Sequence, residues 1–203
     1  YGGERLKIAD QDSIPLPAWD LFRPAEEYVL HTSRGCPFTC GFCMNPNGRL
    51  VRPRSAANVL SEVQWLVETM KPKSILFGDE IFTIQRERTM EICQGLIARG
   101  FHKKLHWRCQ THVRSIDLEM AQLMKASNCS LVGMGIESGD DEKLKAMGKG
   151  TNLKSIFEAV NILKQVKLPF MTFFILGQPD ETYDSAKNTI DFAVKLNPVL
   201  PIF

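Results

Sequence analysis

The sequence predicts an α/β fold in which parallel strands alternate with helices, and three patterns carry that expectation. Six short apolar runs rich in β-branched or aromatic residues recur along the chain. Amphipathic helical periods fall between them. Glycines and polar groups gather where several of these runs end, at the carboxyl ends of strands, which is where parallel α/β folds place their sites. Strand and helix alternate five times before a sixth strand ends the chain. Such alternation needs right-handed crossovers, so the architecture is an open doubly wound sheet or a barrel, whole or partial.

The first 27 residues show neither strand nor helix period and contain Pro15, Pro17 and Pro24. They predict an extended linker or an arm capping a barrel, with the regular domain running over 28–203. "YVLHTS" (Tyr28 to Ser33) is the first strand, followed by a helix capped by Ser55 with Val59, Val63, Leu66, Val67 and Met70 on one face. "SILFGD" (Ser74 to Asp79) is the second, and Ile92, Cys93, Leu96 and Ile97 mark a helix ended by Gly100. "LHWRCQT" (Leu105 to Thr111) leads to a helix with Met120, Ala121 and Met124 behind a cap at Asp117. "LVGMGIES" (Leu131 to Ser138) precedes a helix with Leu153, Phe157, Val160 and Leu163 behind Thr151. "FMTFFILG" (Phe170 to Gly177) precedes a last helix with Ala186, Ile190, Ala193 and Val194, stopped before Pro198, and "VLPIF" (Val199 to Phe203) is the sixth strand.

With 203 residues, 44% hydrophobic and 24% charged, the chain is average for a globular domain. The formal charge of +2 gives no global reason for nucleic acid or an anionic membrane as partner. No apolar run reaches the roughly 18 residues that span a bilayer, and the start lacks a signal pattern. A reducing, cytoplasmic compartment is expected, where clustered cysteines mean metal binding or catalysis more often than disulfides. The chain opens on Tyr1 without a methionine, as a piece of a longer protein would.

"SRGCPFTCGFCMNP" (Ser33 to Pro46) holds three of the six cysteines, Cys36, Cys40 and Cys43. Disulfides would leave one thiol over and close very short loops, against bridge geometry. The spacing instead wraps one loop around a single metal or cluster, with Gly35 and Gly41 letting the backbone turn closely. Tetrahedral zinc needs a fourth ligand, for which His31 in the first strand is nearest. An iron-sulfur cube on three thiolates leaves one iron free for an outside ligand. Cys93, Cys109 and Cys129 are dispersed and read as small core residues.

"CPFTCGFC" resembles the cysteine motif of the radical S-adenosylmethionine (SAM) superfamily, with the aromatic Phe42 just before the last cysteine. "WRCQTHVRSID", "GIESGDDEKLKAMGKGT" and "FILGQPDET" are similar to its third-, fourth- and fifth-strand segments, in order, over Tyr28 to the end. The resemblance implies a partial (β/α)6 TIM-like barrel, truncated after strand six, with a [4Fe-4S] cluster on Cys36, Cys40 and Cys43. It implies SAM on the free iron, cleaved by the reduced cluster to a 5′-deoxyadenosyl radical that abstracts hydrogen from an unidentified substrate. An electron donor such as flavodoxin or ferredoxin is implied as well.

By matching position, Glu80 and the backbone of Gly78 and Asp79 meet the SAM amino group; the family often has Gly-Gly-Glu here, so Asp79 departs from it. The resemblance likewise implies that Glu137 and Ser138 face the ribose or methionine part, that Gln110 bonds the ribose, and that Lys149 pairs with the SAM carboxylate. It implies adenine packing for Phe42, Ile175 and Leu176. An acidic turn for Glu80, a solvated surface for Lys149 and barrel core for Ile175 and Leu176 are the bland alternatives. The segment "DSIPLPAWDLF", through Pro15, Pro17, Ala18 and Trp19, resembles the junction to a cobalamin-binding domain in one branch of the family, which implies cobalamin in the full-length parent and methyl transfer, rearrangement or cyclisation. Two other readings stay open: an enzyme modifying RNA, supported by Arg49, Arg52 and Arg54, and a non-catalytic zinc or iron-sulfur domain.

Overall fold

The computed structural model describes residues 7–203. Its strands and helices, in chain order, are β1 (Glu27–Leu30), β2 (Ser33–Arg34), β3 (Arg52–Pro53), α1 (Ala56–Thr69), β4 (Ser74–Phe77), α2 (Arg86–Ala98), β5 (His106–Thr111), α3 (Leu118–Ala126), β6 (Cys129–Glu137), α4 (Asp141–Ala146), α5 (Leu153–Gln165), β7 (Phe170–Phe174), α6 (Tyr183–Leu196) and β8 (Leu200–Ile202). Six strands form one parallel sheet in the order β1-β4-β5-β6-β7-β8. Each new strand is added beside the previous one, without the reversal of a doubly wound sheet. That order selects the partial barrel from the two architectures left open by alternation.

Side chains alternate along each strand. Ile75 and Phe77 on β4, Trp107 and Cys109 on β5, Met134 and Ile136 on β6 and Phe170 and Phe174 on β7 are buried with the helix stripes in one core. Phe77 stacks on Phe82 at 4.7 Å, and Trp107 packs against both at 5.4 Å while its indole N–H donates to the Ser127 carbonyl at 2.9 Å. Cys93, Cys109 and Cys129 belong to this core, and burial pushes the Cys93 thiol up to about 12, so it stays neutral and inert. In register, Leu30, Phe77 and Cys109 stand side by side, so β1 and β4 end at one level and β5 runs two residues beyond it, to Thr111, before its loop begins. This rim positions the site.

Several element boundaries differ from the sequence reading for identifiable reasons. β1 ends at Leu30, leaving His31 outside the strand, because the backbone N–H of Thr32 donates to the Asp79 carboxylate at 2.6 Å. The chain then turns into β2, which pairs antiparallel with β3 and closes the base of the cysteine loop. β6 begins at Cys129, with a register shift opposite Trp107 and Arg108. Helix α5 is capped by Asn152, not Thr151, through a capping box with Ser155. The short α4 has only Leu144 buried, so no apolar stripe announced it.

The arm lies against the barrel. Trp19 donates its indole N–H to Glu62 at 2.9 Å and meets Tyr28 edge-on at 5.4 Å, while the Asp12 carboxylate accepts the Ser55 N–H at 2.9 Å. Arg54 joins the buried Glu62 from the other side by pairing with it, and donates to Asn58 at 2.7 Å.

Candidate active site

The cysteine loop is shaped by its own backbone. Gly35 has φ +100°, and a Cβ there would lie 2.3 Å from the Leu50 carbonyl oxygen, so glycine is required. Gly41 has no such need: a Cβ would make an ordinary 3.7 Å contact, and its N–H is held by the Met147 carbonyl at 2.8 Å. The Cys36 N–H donates to Gly48 at 3.0 Å, Asn45 donates its side-chain amide to the Cys36 carbonyl at 3.0 Å, and the Cys43 N–H returns to Cys40 at 3.1 Å. The loop is thereby pinned at both ends and to the segment after α4.

All three thiols are free, and together they wall a cavity of about 420 Å³ at the carboxyl ends of the strands. Phe42 joins them from the same loop, Glu80 from beyond β4, Gln110 from β5, Glu137 from the end of β6 and Lys149 from beyond α4. Five elements distant in sequence thus meet at one mouth, as the parallel topology requires. Burial pushes the Cys36 thiol up, and the negative charge that Cys40, Cys43 and Glu80 can carry adds to this against a backbone contact with Phe38. Three free thiols on one short loop facing one cavity form a donor set that a metal cluster can use.

Among the described residues no group of three His, Cys, Asp or Glu side chains is arranged to hold a single metal ion. His31, the fourth zinc ligand considered from sequence, lines a different pocket with Pro15, Trp19 and Arg34. In the basic stretch Arg52 is buried and donates to the Ile8 and Asn47 carbonyls, Arg54 pairs with Glu62 and donates to Asn58, and Arg49 is exposed and donates to the Phe38 carbonyl.

Glu137 and Lys149 form the most constrained part of the wall. Their carboxylate and ammonium are 2.6 Å apart, with side chains only 9% and 8% exposed. Lys149 therefore meets Glu137 in this structure, and it is buried, against the solvated-surface alternative. Its ammonium also lies 5.8 Å from the Phe42 ring centroid. Glu137 has φ +72°, beside a register break between Gly135 and Glu137, a conformation that costs a non-glycine residue on the order of 1 kcal/mol. Gly135 leaves the room: a Cβ there would sit 2.3 Å from the Glu137 carboxylate and 2.8 Å from the Lys149 ammonium. Gly135→Ala is expected to displace the pair and destabilise the chain by about 1–3 kcal/mol. Thermal denaturation checks this, and an unchanged midpoint would show that the pair relocates freely.

Five residues proposed from sequence do not line the cavity, namely Gly78, Asp79, Ser138, Ile175 and Leu176. The Asp79 carboxylate accepts from Thr32 N–H, Thr32 hydroxyl and, at 2.9 Å, Ser33 hydroxyl, so it anchors the start of the cysteine loop. Gly78 donates its N–H to Leu30 at 2.8 Å, and a Cβ there would crowd Val29 at 2.9 Å. Ser138 accepts the Asp140 N–H at 3.2 Å and lies 3.3 Å from the Thr189 hydroxyl, joining this loop to α6. Ile175 donates its N–H to the Glu137 carbonyl at 2.9 Å, and Leu176 is 39% exposed, which excludes the barrel-core alternative for it. Both lie past the end of β7, where strand alternation stops.

The structure also brings in Phe38 and His112, which the sequence reading left without a role. Their rings stack with centroids 3.9 Å apart. His112 is held down to about 4, chiefly by burial and next by the Lys149 ammonium, with Arg114 adding and a backbone contact to Lys149 opposing, so the ring is neutral near pH 7.

A sheet of this order with three clustered thiols at its rim defines a cofactor-binding partial barrel. The radical SAM superfamily model matches residues 30–193, and the chain belongs to that superfamily, whose fold uses a [4Fe-4S] cluster and SAM. An uncharacterized methyltransferase of Pyrococcus horikoshii is 34% identical over 95% of this chain and 44% of its own length. The anaerobic magnesium-protoporphyrin IX monomethyl ester cyclase of Cereibacter sphaeroides is 30% identical over 95% of this chain and 33% of its own length. Among solved structures, the radical SAM methyltransferase TsrM of Kitasatospora setae superposes with a TM-score of 0.79 at 18% identity over 93% of this chain and 38% of that one. The cobalamin-dependent SAM radical enzyme OxsB does so with 0.74 at 24% identity over 86% of this chain and 27% of that one. The chain spans less than half the length of these relatives. Among the described residues no helix is long and apolar enough to cross a membrane.

Proposed function

We propose that the chain is the catalytic barrel of a radical SAM enzyme, with Cys36, Cys40 and Cys43 holding the [4Fe-4S] cluster and SAM seated beside it. The observation that carries this is the meeting of eight of the thirteen residues singled out from sequence around one cavity, the three free thiols among them. When bound, the reduced cluster supplies the electron that splits the sulfonium carbon–sulfur bond of SAM and yields a 5′-deoxyadenosyl radical. The residues of this chain bind, orient and shield. Glu80, held at 2.6 Å by the Asn47 amide, presents a carboxylate to an ammonium group. Gln110 offers an amide to ribose hydroxyls, and Phe42 an aromatic face to adenine. Lys149 and Glu137 together offer both signs of charge, so the ion pair must open or share a carboxylate as the methionine end arrives. Phe38, Ile81 and Phe173 keep that wall free of reactive groups.

For the whole protein we read a cobalamin-dependent methyltransferase or cyclase, supported by the names of the relatives and by the packed Pro15–Trp19 segment, with residues 1–27 as the linker or capping arm, of which 1–6 lie outside the described residues, and 28–203 as the barrel. An external one-electron donor, flavodoxin or ferredoxin, and a reducing cytoplasm suit this chemistry. Equilibrium dialysis against labelled SAM under anaerobic conditions tests the site. The reconstituted chain is expected to bind about one SAM and to lose most of that affinity when iron is chelated; binding that survives chelation unchanged would contradict the seat assigned to SAM.

A further inference from the structure

Asn47 lies four positions after Cys43, in a turn closed by the Gly48 N–H donating to the Asn45 carbonyl at 3.0 Å. The same turn is tied twice to the backbone of Cys36. The Asn45 amide donates to the Cys36 carbonyl at 3.0 Å, and the Cys36 N–H donates to the Gly48 carbonyl at 3.0 Å. The buried Arg52 adds a bond to the Asn47 carbonyl at 3.3 Å. The turn is thus held without the Asn47 side chain, which instead donates its amide N–H to Glu80 Oε1 at 2.6 Å, across 33 positions of the sequence. Facing a carboxylate, only the amide nitrogen can donate, so the partner fixes how this group is turned. Glu80 lines the thiol-walled cavity, whereas Asn47 stands behind it. The bond uses one carboxylate oxygen and leaves Oε2 for a ligand in the cavity.

We propose that Asn47 is a positioning residue: it fixes the Glu80 carboxylate relative to the cysteine loop, so that one ligand reaches the carboxylate through its ammonium group and the cluster at the same time. The inference rests on the cluster and SAM reading given above. A pair of attachments favours it. The residues on either side of Asn47 in the turn hold Cys36, and the side chain between them holds Glu80. One short segment therefore sets the separation of the first thiol from the carboxylate. A ligand that bonds to both needs that separation constant, and an unheld glutamate would sample several rotamers and weaken binding when one is selected. A cation in this place would pair with Glu80 and compete with the ligand. The neutral amide holds the carboxylate and leaves its charge for the ammonium.

The test is anaerobic equilibrium dialysis of SAM against reconstituted chains, read beside iron content and the thermal midpoint of the apo protein. Asn47→Leu removes the donor at similar volume, Asn47→Gln keeps a donor on a longer arm, and Glu80→Gln removes the carboxylate. Asn47→Leu is expected to keep its iron and its midpoint and to bind SAM about tenfold more weakly. Asn47→Gln recovers part of that loss. In the Glu80→Gln background Asn47→Leu costs less than about twofold, because the carboxylate it positions is gone. In SAM cleavage the KM rises with the dissociation constant, while the rate at saturation changes by less than about twofold. Equal losses of SAM affinity in the two backgrounds overturn the proposal, since Asn47 would then act without Glu80. Unchanged SAM affinity in Asn47→Leu overturns it as well, and so does lost iron, which would make the side chain a support of the cysteine loop. If Asn47→Leu fails to fold, Asn47→Ala makes the same comparison. An unsubstituted chain that takes up no cluster, or binds no SAM with its cluster in place, overturns the functional reading itself, and the inference with it.

Discussion

Cys40→Ala is expected to lose cluster iron and SAM cleavage together while the apo chain keeps its fold. Three thiolates can hold three irons of a cube, and removing the middle one leaves two corners of the cluster open to solvent. Cys40 is half-buried in a loop whose shape comes from Gly35, the Gly48 and Met147 carbonyls and the Asn45 amide, none of which needs its sulfur. The thermal midpoint of the apo chain should therefore move by an amount typical of surface substitutions, about 0.5 kcal/mol or less. Iron and sulfide content and chromatographic detection of 5′-deoxyadenosine read the loss, which should reach background. Retained product at the unsubstituted level would remove Cys40 from the site.

Lys149→Met is expected to destabilise the apo chain by about 3–5 kcal/mol, because it strands the buried Glu137 carboxylate without its ammonium partner. For a domain of this size that corresponds to a fall of roughly 6–20 °C in thermal midpoint. The double variant with Glu137→Gln should recover a large part of the loss, since no unpaired charge then remains. The coupling follows from a thermodynamic cycle on four apo proteins. A single-variant loss below about 1 kcal/mol would mean that the pair is replaced by water.

The alternation of strands and helices was legible because periods of two and 3.6 are local properties of the chain. Alternation alone left barrel and doubly wound sheet open, because both share it and differ only in which strands become neighbours; the motifs' resemblance to the radical SAM superfamily implied the barrel, and the strand order bears that out. The cysteine loop was legible for the same local reason: Cys36, Cys40 and Cys43 lie within one turn-rich segment. Asp79 shows the opposite case. Its partners, Thr32 and Ser33, lie 47 and 46 residues away, so its structural task could not be read from the Gly78–Glu80 segment alone. Leu176 shows where period two misleads, since β7 stops at Phe174 and the residues beyond it no longer alternate. The left-handed Glu137 and its dependence on Gly135 had a faint sequence signal in "GMGIES", where isolated strand glycines mark bulges or close approach. His112 had none: its stack on Phe38 joins the β5 loop to the cysteine loop across 74 positions of the sequence.

The most direct measurement combines metal analysis with turnover. The chain is reconstituted anaerobically with iron and sulfide, analysed for iron, sulfide and zinc, reduced, and incubated with SAM. The expected result is about four irons and four sulfides per chain, with 5′-deoxyadenosine formed only when reductant, cluster and SAM are all present. One zinc per chain with no SAM affinity would contradict it, and would identify the three thiols as part of a non-catalytic metal site.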